Sequence, residues 1–230
     1  MKRLMNTLRI QCLLQYRHGF YAATFVILIP TIVLLSFLDT AVLGCLLPPV
    51  LVLVACVNGV FFAAGLFYYE GSENTCLAQA VTPLGNGEIV AGKAITLSTL
   101  TVVEGLAIVL ATYDGAVNYI ALIGALTMAA AMLTCFGIAL AARHSSVSEF
   151  VIPAVFYSLI LLWPMLHYLG VGTAWTVTAH PLQGIMELFM IATGQAVPAF
   201  TPALVLTPLW MIIAYFWATR QSHQWIRRFA

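Results

Sequence analysis

The 230-residue chain is 62% hydrophobic and only 7% charged, with a net charge of +1. Soluble domains carry about 25% charged residues, so this composition excludes an ordinary soluble enzyme and a nucleic-acid-binding domain. It indicates an all-α polytopic membrane protein instead. The five cysteines are scattered without a Cys-x-x-Cys pair, which indicates neither a redox pair nor a zinc site.

The first 19 residues predict a helix that lies at the membrane interface. Most of its apolar residues share one arc of the helical wheel, although Ile10 and Leu13 fall outside it. The basic residues that would face anionic headgroups are Lys2, Arg3, Arg9 and Arg17. The alternative is a simple basic anchor that holds the N-terminus inside and has no further role.

Uncharged apolar runs predict six membrane-spanning helices, because a span needs about 20 mostly apolar residues. The predicted spans cover residues 20–38, 42–69, 94–112, 117–142, 150–169 and 203–219. Only the third span contains a charged residue, Glu104. The first span is too long for the apolar core of a cleavable signal peptide, so we expect it to stay in the membrane.

Both termini of a six-span protein lie on the same side of the membrane. All nine Lys and Arg residues fall on that side of the predicted topology, whereas the opposite side carries only Asp39, Asp114 and Glu187. Basic residues are retained on the cytoplasmic side. The sequence therefore predicts a multi-pass protein of the cell (plasma or inner) membrane, with both termini in the cytoplasm.

Residues 70–93 form the only long and charged cytoplasmic loop, between the second and third spans. Residues 72–80 predict a short helix with Ser72 as its N-cap. It ends before Pro83, because the residue preceding a proline avoids the α conformation. Such a helix, at the end of two spans, suits contact with a soluble partner. Lys93 is interpreted as an anchor whose ammonium group snorkels to the membrane interface.

The start of the third span nearly matches the nucleotide-binding motif G-x-x-x-x-G-K-[ST] at residues 87–94. Ala94 stands where the motif needs a hydroxyl group to coordinate magnesium, and no strand is predicted before it. We therefore expect no nucleotide site, no catalytic residue and no cofactor on this chain itself.

Residues 170–202 are apolar but repeatedly broken by glycine and proline. Irregular backbone at membrane depth survives only against protein or a water-filled cavity. This stretch therefore predicts re-entrant or interfacial helices on the outer side, and it contains His180, Pro181 and Glu187. The spacing of His167, His180 and Glu187 matches no metal-ligand pattern, so we expect each of them to serve an interface.

Glu104 lies in the middle of the third span. Carboxyl groups within the membrane are costly and usually face the bundle interior or an aqueous path. One interpretation is a proton or cation site, or a polar group that lines a substrate path together with Asn58. The other is a protonated glutamate that is hydrogen-bonded to a neighbouring helix, with Asn58 as its partner.

Two motifs carry a family resemblance. The first comprises Glu70, Glu73, Thr75, Leu77, Thr82-Pro83-Leu84, Glu88 and Gly92-Lys93. It resembles the loop after the second span in permeases of ATP-binding-cassette exporters of the type-2 export superfamily. The compact size most resembles the drug-export permeases for fluoroquinolones. His180-Pro181-Leu182 is similar to the Asn-Pro-Leu before the outer helix of that family. His180 in place of Asn, and Cys76 within the Thr-Leu pair, depart from the pattern.

The resemblance implies a permease that moves an apolar or amphipathic small molecule outward. ATP and magnesium would bind a separate cytoplasmic ATPase, and the chain would pair with an identical or different permease through its second and fifth spans. Residues 72–80 would be the coupling helix. The residues implied to dock or couple to the ATPase are Glu70, Glu73, Thr75, Leu77, Thr82, Pro83 and Leu84.

Three other functions remain open. An ion-coupled secondary transporter would use Glu104 as its proton site. A membrane-embedded enzyme acting on lipid would need a convergent polar cluster, which the sequence does not indicate. A scaffold subunit would dock the ATPase without transporting anything.

Overall fold

The computed structural model of the chain describes residues 2–73, 85–170, 178–195 and 202–229. All regular structure within these ranges is helical. The helices are α1 (Lys2–Arg17), α2 (Phe20–Leu35), α3 (Thr40–Ser72), α4 (Asn86–Thr112), α5 (Tyr119–Ala141), α6 (Val147–Leu161), α7 (Trp163–Tyr168), α8 (Gln183–Ala192) and α9 (Pro202–Phe229). Within α3, the segment Val57–Phe62 is π-helical.

Four of the described helices are long and apolar enough to cross a membrane, namely α3, α4, α5 and α9. α3, α4 and α9 contain the second, third and sixth predicted spans, and α5 covers residues 119–141 of the fourth. These four spans are thereby confirmed as long apolar helices. α1 and α2 make a fifth span if they are counted as one helix, bent by 65°. The total of six spans and their orientation remain predictions.

The first and fifth predicted spans are shorter or broken in the structure. The first is α2, which has 16 residues. It follows a bend at Gly19, whose φ of 74° is one that glycine adopts readily. The fifth is divided between α6 and α7 at Leu162, where Pro164 has no N–H to continue the helix. The change from the basic α1 to the apolar α2 agrees with the predicted start of the first span. Apolar composition gives no sign of the break at Leu162, because the residues on both sides of it are apolar.

The connection between α3 and α4 is shorter than the predicted loop at residues 70–93. Ser72 is the last residue of α3, and its hydroxyl donates to the Tyr69 carbonyl of the same helix (2.9 Å); most of the helix predicted at residues 72–80 lies outside the described residues. α4 begins earlier than predicted because the Glu88 carboxylate accepts a hydrogen bond from the Gly85 backbone N–H (3.1 Å), as in a capping box. Lys93 therefore lies about two turns inside α4.

α5 is the central helix of the bundle and packs against α3, α4, α8 and α9. Its buried face includes Leu122, Leu126 and Leu133. The outer helices α2, α6 and α9 expose large apolar side chains instead, among them Phe156 and Phe216. Contiguous apolar surface of this kind indicates contact with lipid or with another subunit.

The crossing of α3 and α5 depends on two glycines. A Cβ at residue 137 would lie 2.7 Å from the carbonyl oxygens of Gly59 and Val60. A Cβ at residue 59 would lie 2.5 Å from the Leu133 Cβ. Small residues allow the backbones of membrane helices to approach this closely, which strengthens their packing. The two glycines thus hold the π-helical segment of α3 against the central helix.

We predict that Gly137→Ala destabilises the protein by about 1–3 kcal/mol, the usual cost of forcing extra atoms into a packed core. Gly124→Ala on the same helix is the matched control, because nothing lies within 4 Å of its added Cβ. It should be neutral or slightly stabilising, since alanine favours a helix over glycine. Thermal unfolding in detergent measures both, and equal melting temperatures for the two variants would contradict the crossing described above.

Candidate functional site

A buried polar cluster joins α1, α3 and α4 at one end of the bundle. The Lys93 ammonium group forms an ion pair with the Glu70 carboxylate, and the two side chains are only 1% and 4% exposed. The Gln11 side-chain amide donates to Glu70 Oε1 (3.0 Å), and its oxygen lies 3.4 Å from Lys93 Nζ. We call Gln11, Glu70 and Lys93 the Glu70–Lys93 cluster. Because a buried charge without its partner is strongly unfavourable, the cluster fixes these three helices to one another.

α1 reaches the cluster through a polar stripe. Thr7, Gln11 and Gln15 follow one another at intervals of four residues and are buried, so they lie on one face of the helix. The Gln15 side-chain amide donates to Thr96 Oγ1 (2.8 Å). The Thr7 methyl group lies so close to Gly92 that a Cβ there would be 2.9 Å away. α1 therefore presents its polar stripe to the protein and leaves apolar side chains exposed.

The structure places Glu70 and Lys93, for which the sequence indicated separate roles, against each other. Lys93 was expected to snorkel to the membrane interface and Glu70 to contact an ATPase. Both side chains are instead buried against each other. The reason is the early start of α4, which places Lys93 inside the bundle, at the level of Glu70 and Gln11.

Glu73, by contrast, remains partly accessible beside this cluster. Its carboxylate pairs with Arg17, and the two side chains are 30% and 61% exposed. His18 Nε2 lies 3.4 Å from Glu73 Oε1, and the His18 ring stacks on Tyr69 with centroids 4.3 Å apart. Arg17 thus contacts the end of α3, in addition to its expected role as an interfacial anchor.

The other expected docking and anchoring residues are only partly described. Thr75, Leu77, Thr82, Pro83 and Leu84 lie outside the described residues. Lys2 and Arg3 belong to α1, but their side chains also lie outside the described part. Arg9 is exposed on α1. In the chain, Glu70 thus precedes and Lys93 follows the predicted coupling helix at residues 72–80, and Glu73 lies within it.

A second polar group lies in the middle of the bundle, inside the π-helical segment. The Asn58 side-chain amide donates to Glu104 Oε2 (2.7 Å) and lies 3.2 Å from Thr101 Oγ1. Glu104 is only 2% exposed. The expectation that Asn58 is the hydrogen-bonding partner of Glu104 is therefore confirmed. π-helical segments often occur at functional sites, and this one turns the Asn58 amide toward α4.

Two apolar cavities of about 330 and 350 Å³ open on the side of the bundle rather than at Glu104. They share Ala94, Ile95 and Ala131 and are otherwise lined by α4, α5 and α9. Such a surface offers space to hydrocarbon but few hydrogen-bonding groups.

His180 makes a tight turn at the start of the segment that leads into α8. Its Nδ1 accepts a hydrogen bond from the Leu182 backbone N–H (3.2 Å), so Nε2 carries the proton that faces the Ile160 carbonyl (3.1 Å). An asparagine two residues before a backbone N–H closes the same kind of turn. This explains why His180-Pro181-Leu182 can replace Asn-Pro-Leu. Burial lowers the pKa of His180, and the Ile160 carbonyl partly offsets this effect.

Glu187 lies on α8 and is largely buried. Its Oε1 accepts a hydrogen bond from the Gln183 side chain one turn earlier (3.1 Å). Within the described part of the chain, no three His, Cys, Asp or Glu residues lie together as metal ligands would. His180 and Glu187 thus make separate local contacts.

Residues 2–228 match the model of the fluoroquinolones export permease protein family. The chain belongs to this family. Comparison with curated proteins finds no significant match. The match covers nearly the whole chain and, with the long apolar helices, makes the protein a transmembrane export permease.

In this permease, several residues of the polar clusters were missed at the sequence level. Gln11, Gln15 and Thr101 carry no motif. The four-residue spacing of Thr7, Gln11 and Gln15 was the one available signal for the polar stripe of α1. This spacing was overlooked because the basic residues of the same helix suggested a polar face turned toward lipid headgroups.

We predict that Lys93→Met destabilises the permease by about 3–5 kcal/mol, because it leaves the Glu70 carboxylate buried without its cation. The double variant Glu70→Leu with Lys93→Met should recover much of this loss, since it removes both charges. Arg9→Met on the exposed face of α1 is the control and should have little effect. Thermal unfolding in detergent checks all three. A double variant less stable than Lys93→Met would refute the pairing.

The His180 turn predicts a pH dependence of stability. Because the folded pKa lies below that of the unfolded chain, folding releases protons, and stability falls as the pH drops through about 6.5, the ordinary histidine pKa. His180→Asn keeps the turn without a titrating group and should lose this dependence. Melting temperatures between pH 8 and pH 5 test it, and parallel curves for the two proteins would rule out the role of His180.

Proposed function

We propose that this permease is the membrane-spanning subunit of an ATP-driven exporter of the type-2 superfamily. It moves an apolar or amphipathic drug of the fluoroquinolone class outward, coupled to a separate cytoplasmic ATPase that binds ATP and magnesium. Two observations support this: the family match over residues 2–228, and a rigid polar cluster on both sides of the predicted coupling segment.

The Glu70–Lys93 cluster is the observation that most directly supports mechanical coupling between the permease and an ATPase. It ties α1, α3 and α4 together beside residues 74–84. A force that an ATPase exerts on any one of these helices therefore moves all three. Glu73 and Arg17 are partly exposed charges at this end, and we propose that Glu73 contacts the ATPase.

The proposed orientation puts the Glu70 end of α3 in the cytoplasm, together with both termini. The distribution of all nine basic residues supports it. The exposed apolar face of α6, which includes Ile152 and Phe156, supports pairing with a second permease subunit, identical or different. The two halves would rock against each other as the ATPase subunits close.

One observation favours a second candidate function. Glu104 is a buried carboxyl group within a membrane-spanning helix, and such groups serve as ion-coupling sites in transporters. In that case transport would follow the proton gradient, and no ATPase would be required. A scaffold that docks the ATPase without transporting a drug is the remaining alternative.

Norfloxacin uptake into inverted membrane vesicles from the native host distinguishes these functions. We expect uptake that requires ATP, resists a protonophore and persists in Glu104→Gln.

Glu73→Arg should reduce uptake and the amount of co-purifying ATPase at least several-fold. Its fold should survive, because exposed ion pairs contribute only about 0–1 kcal/mol.

Two controls sharpen the Glu73 test. Asp114→Arg reverses an exposed charge at the other end of the bundle and should leave uptake unchanged. Exchanging the charges, with Arg17→Glu and Glu73→Arg together, restores the ion pair but should still prevent docking.

Uptake that a protonophore abolishes, and that Glu104→Gln also abolishes, would establish the ion-coupled alternative. ATPase binding without any uptake would establish the scaffold.

A further inference from the structure

Prolines deprive several backbone carbonyls of their helical donors. Pro30, Pro153 and Pro208 do so for Val26, Glu149 and Leu204, and three further carbonyls have a side-chain partner from another segment. A helical N–H bonds to the carbonyl four residues earlier, and proline has no N–H. Pro48 and Pro49 in α3 therefore leave the carbonyls of Gly44 and Cys45 without this bond. Pro164, at the start of α7, does the same to Ile160 at the end of α6. A carbonyl that loses its helical donor can be satisfied by a side chain from another segment.

Each of these three carbonyls is contacted, at hydrogen-bonding distance, by a polar side chain from the part of the chain that follows α6. The Gln195 amide donates to the Gly44 carbonyl (2.8 Å). The Tyr168 hydroxyl lies 2.9 Å from the Cys45 carbonyl, and His180 Nε2 lies 3.1 Å from that of Ile160. We call Tyr168, His180 and Gln195 the polar latch.

The polar latch is itself held in place. The Tyr168 hydroxyl also lies 2.9 Å from Gln195 Oε1, so its single proton serves either acceptor. Gly194, with a φ of 74°, reverses the chain after α8. The Gln195 N–H bonds to the Met190 carbonyl (2.9 Å), and the Gly194 N–H bonds to that of Ile191 (3.2 Å), which is a Schellman motif. This turn aims Gln195 at α3.

We propose that Tyr168 and Gln195 are positioning residues of the transport cycle, which hold the Gly44 end of α3 closed by supplying the hydrogen bonds that Pro48 and Pro49 remove. A proline-containing helix bends at the missing bonds. Many buried threonines here bond to their own helix, as Thr207 does to Ala203. The latch bonds come from α7 and from the turn after α8, so they break when these elements move away from α3. That movement then frees α3 to bend and opens this end. The inference rests on the proposed export function.

A double-mutant cycle tests the hydrogen bonds without any substrate. Gln195→Leu should lower the melting temperature of the purified permease. In a Pro48→Ala background the same change should have much less effect, because residue 48 then supplies its own N–H to Gly44. Tyr168→Phe and Pro49→Ala form a parallel cycle, and Tyr157→Phe on the exposed face of α6 is the control. Additive effects in both cycles would show that Gln195 and Tyr168 do not replace the hydrogen bonds that the prolines remove, and would overturn the proposal.

Norfloxacin flux through inverted vesicles tests the gating role. Gln195→Leu and Tyr168→Phe should raise ATP-independent leak of preloaded norfloxacin about fivefold, the change in an equilibrium that corresponds to losing one hydrogen bond of about 1 kcal/mol. Pro48→Ala should slow ATP-driven uptake without changing its KM. A purely structural role would lower the yield of folded protein but leave the leak per molecule unchanged.

Different results would overturn the latch and the proposed function. Unchanged leak in both latch variants, with normal turnover in Pro48→Ala, would overturn the latch even if wild-type uptake is ATP-driven. Wild-type uptake that needs no ATP would overturn the coupling proposal, whereas increased leak in the latch variants would still support the latch.

Discussion

The burial of polar groups is the constraint on which this structure depends. A buried polar group that is left without a partner costs about 1–3 kcal/mol. The permease pairs three sets of polar groups by hydrogen bonds between distant segments. The Glu70–Lys93 cluster, the Asn58–Glu104 pair and the Tyr168–Gln195 latch each join helices that apolar packing alone would leave free to slide.

All three polar groups contact α3. This helix has 33 residues, which corresponds to about 50 Å at 1.5 Å per residue. Glu70 lies near one end and Gly44 near the other, and Asn58 and Gly59 lie between them, where the π-helical segment crosses α5. Such an arrangement is suited to pass motion between the proposed ATPase contact at the Glu70 end and the proposed opening at the Gly44 end. The prolines and the π-helical segment are the points at which the helix can deform.

The sequence predicts the all-helical class, four of the long apolar helices and the family, because each depends on local composition or on a short motif. It does not predict the partners of polar side chains. Gln11 and Glu70 are 59 residues apart, and Gln195 and Gly44 are 151 residues apart. Such pairs follow from the packing of whole helices. Lys93 shows the consequence. Its position at a predicted span end favoured an anchor that snorkels to the membrane interface, but the helix starts earlier, where the Glu88 carboxylate caps the Gly85 N–H, and Lys93 is buried against Glu70.

Affinity purification of the tagged permease from its native host in mild detergent, followed by mass spectrometry, tests the central claim most directly. The claim is that the Glu70 end of α3 receives an ATPase. The account predicts a stoichiometric ATP-binding-cassette ATPase that dissociates when Glu73 is changed to Arg and stays bound when Asp114 is. Recovery of the permease without any ATPase, across detergents and salt concentrations that preserve its fold, would contradict it.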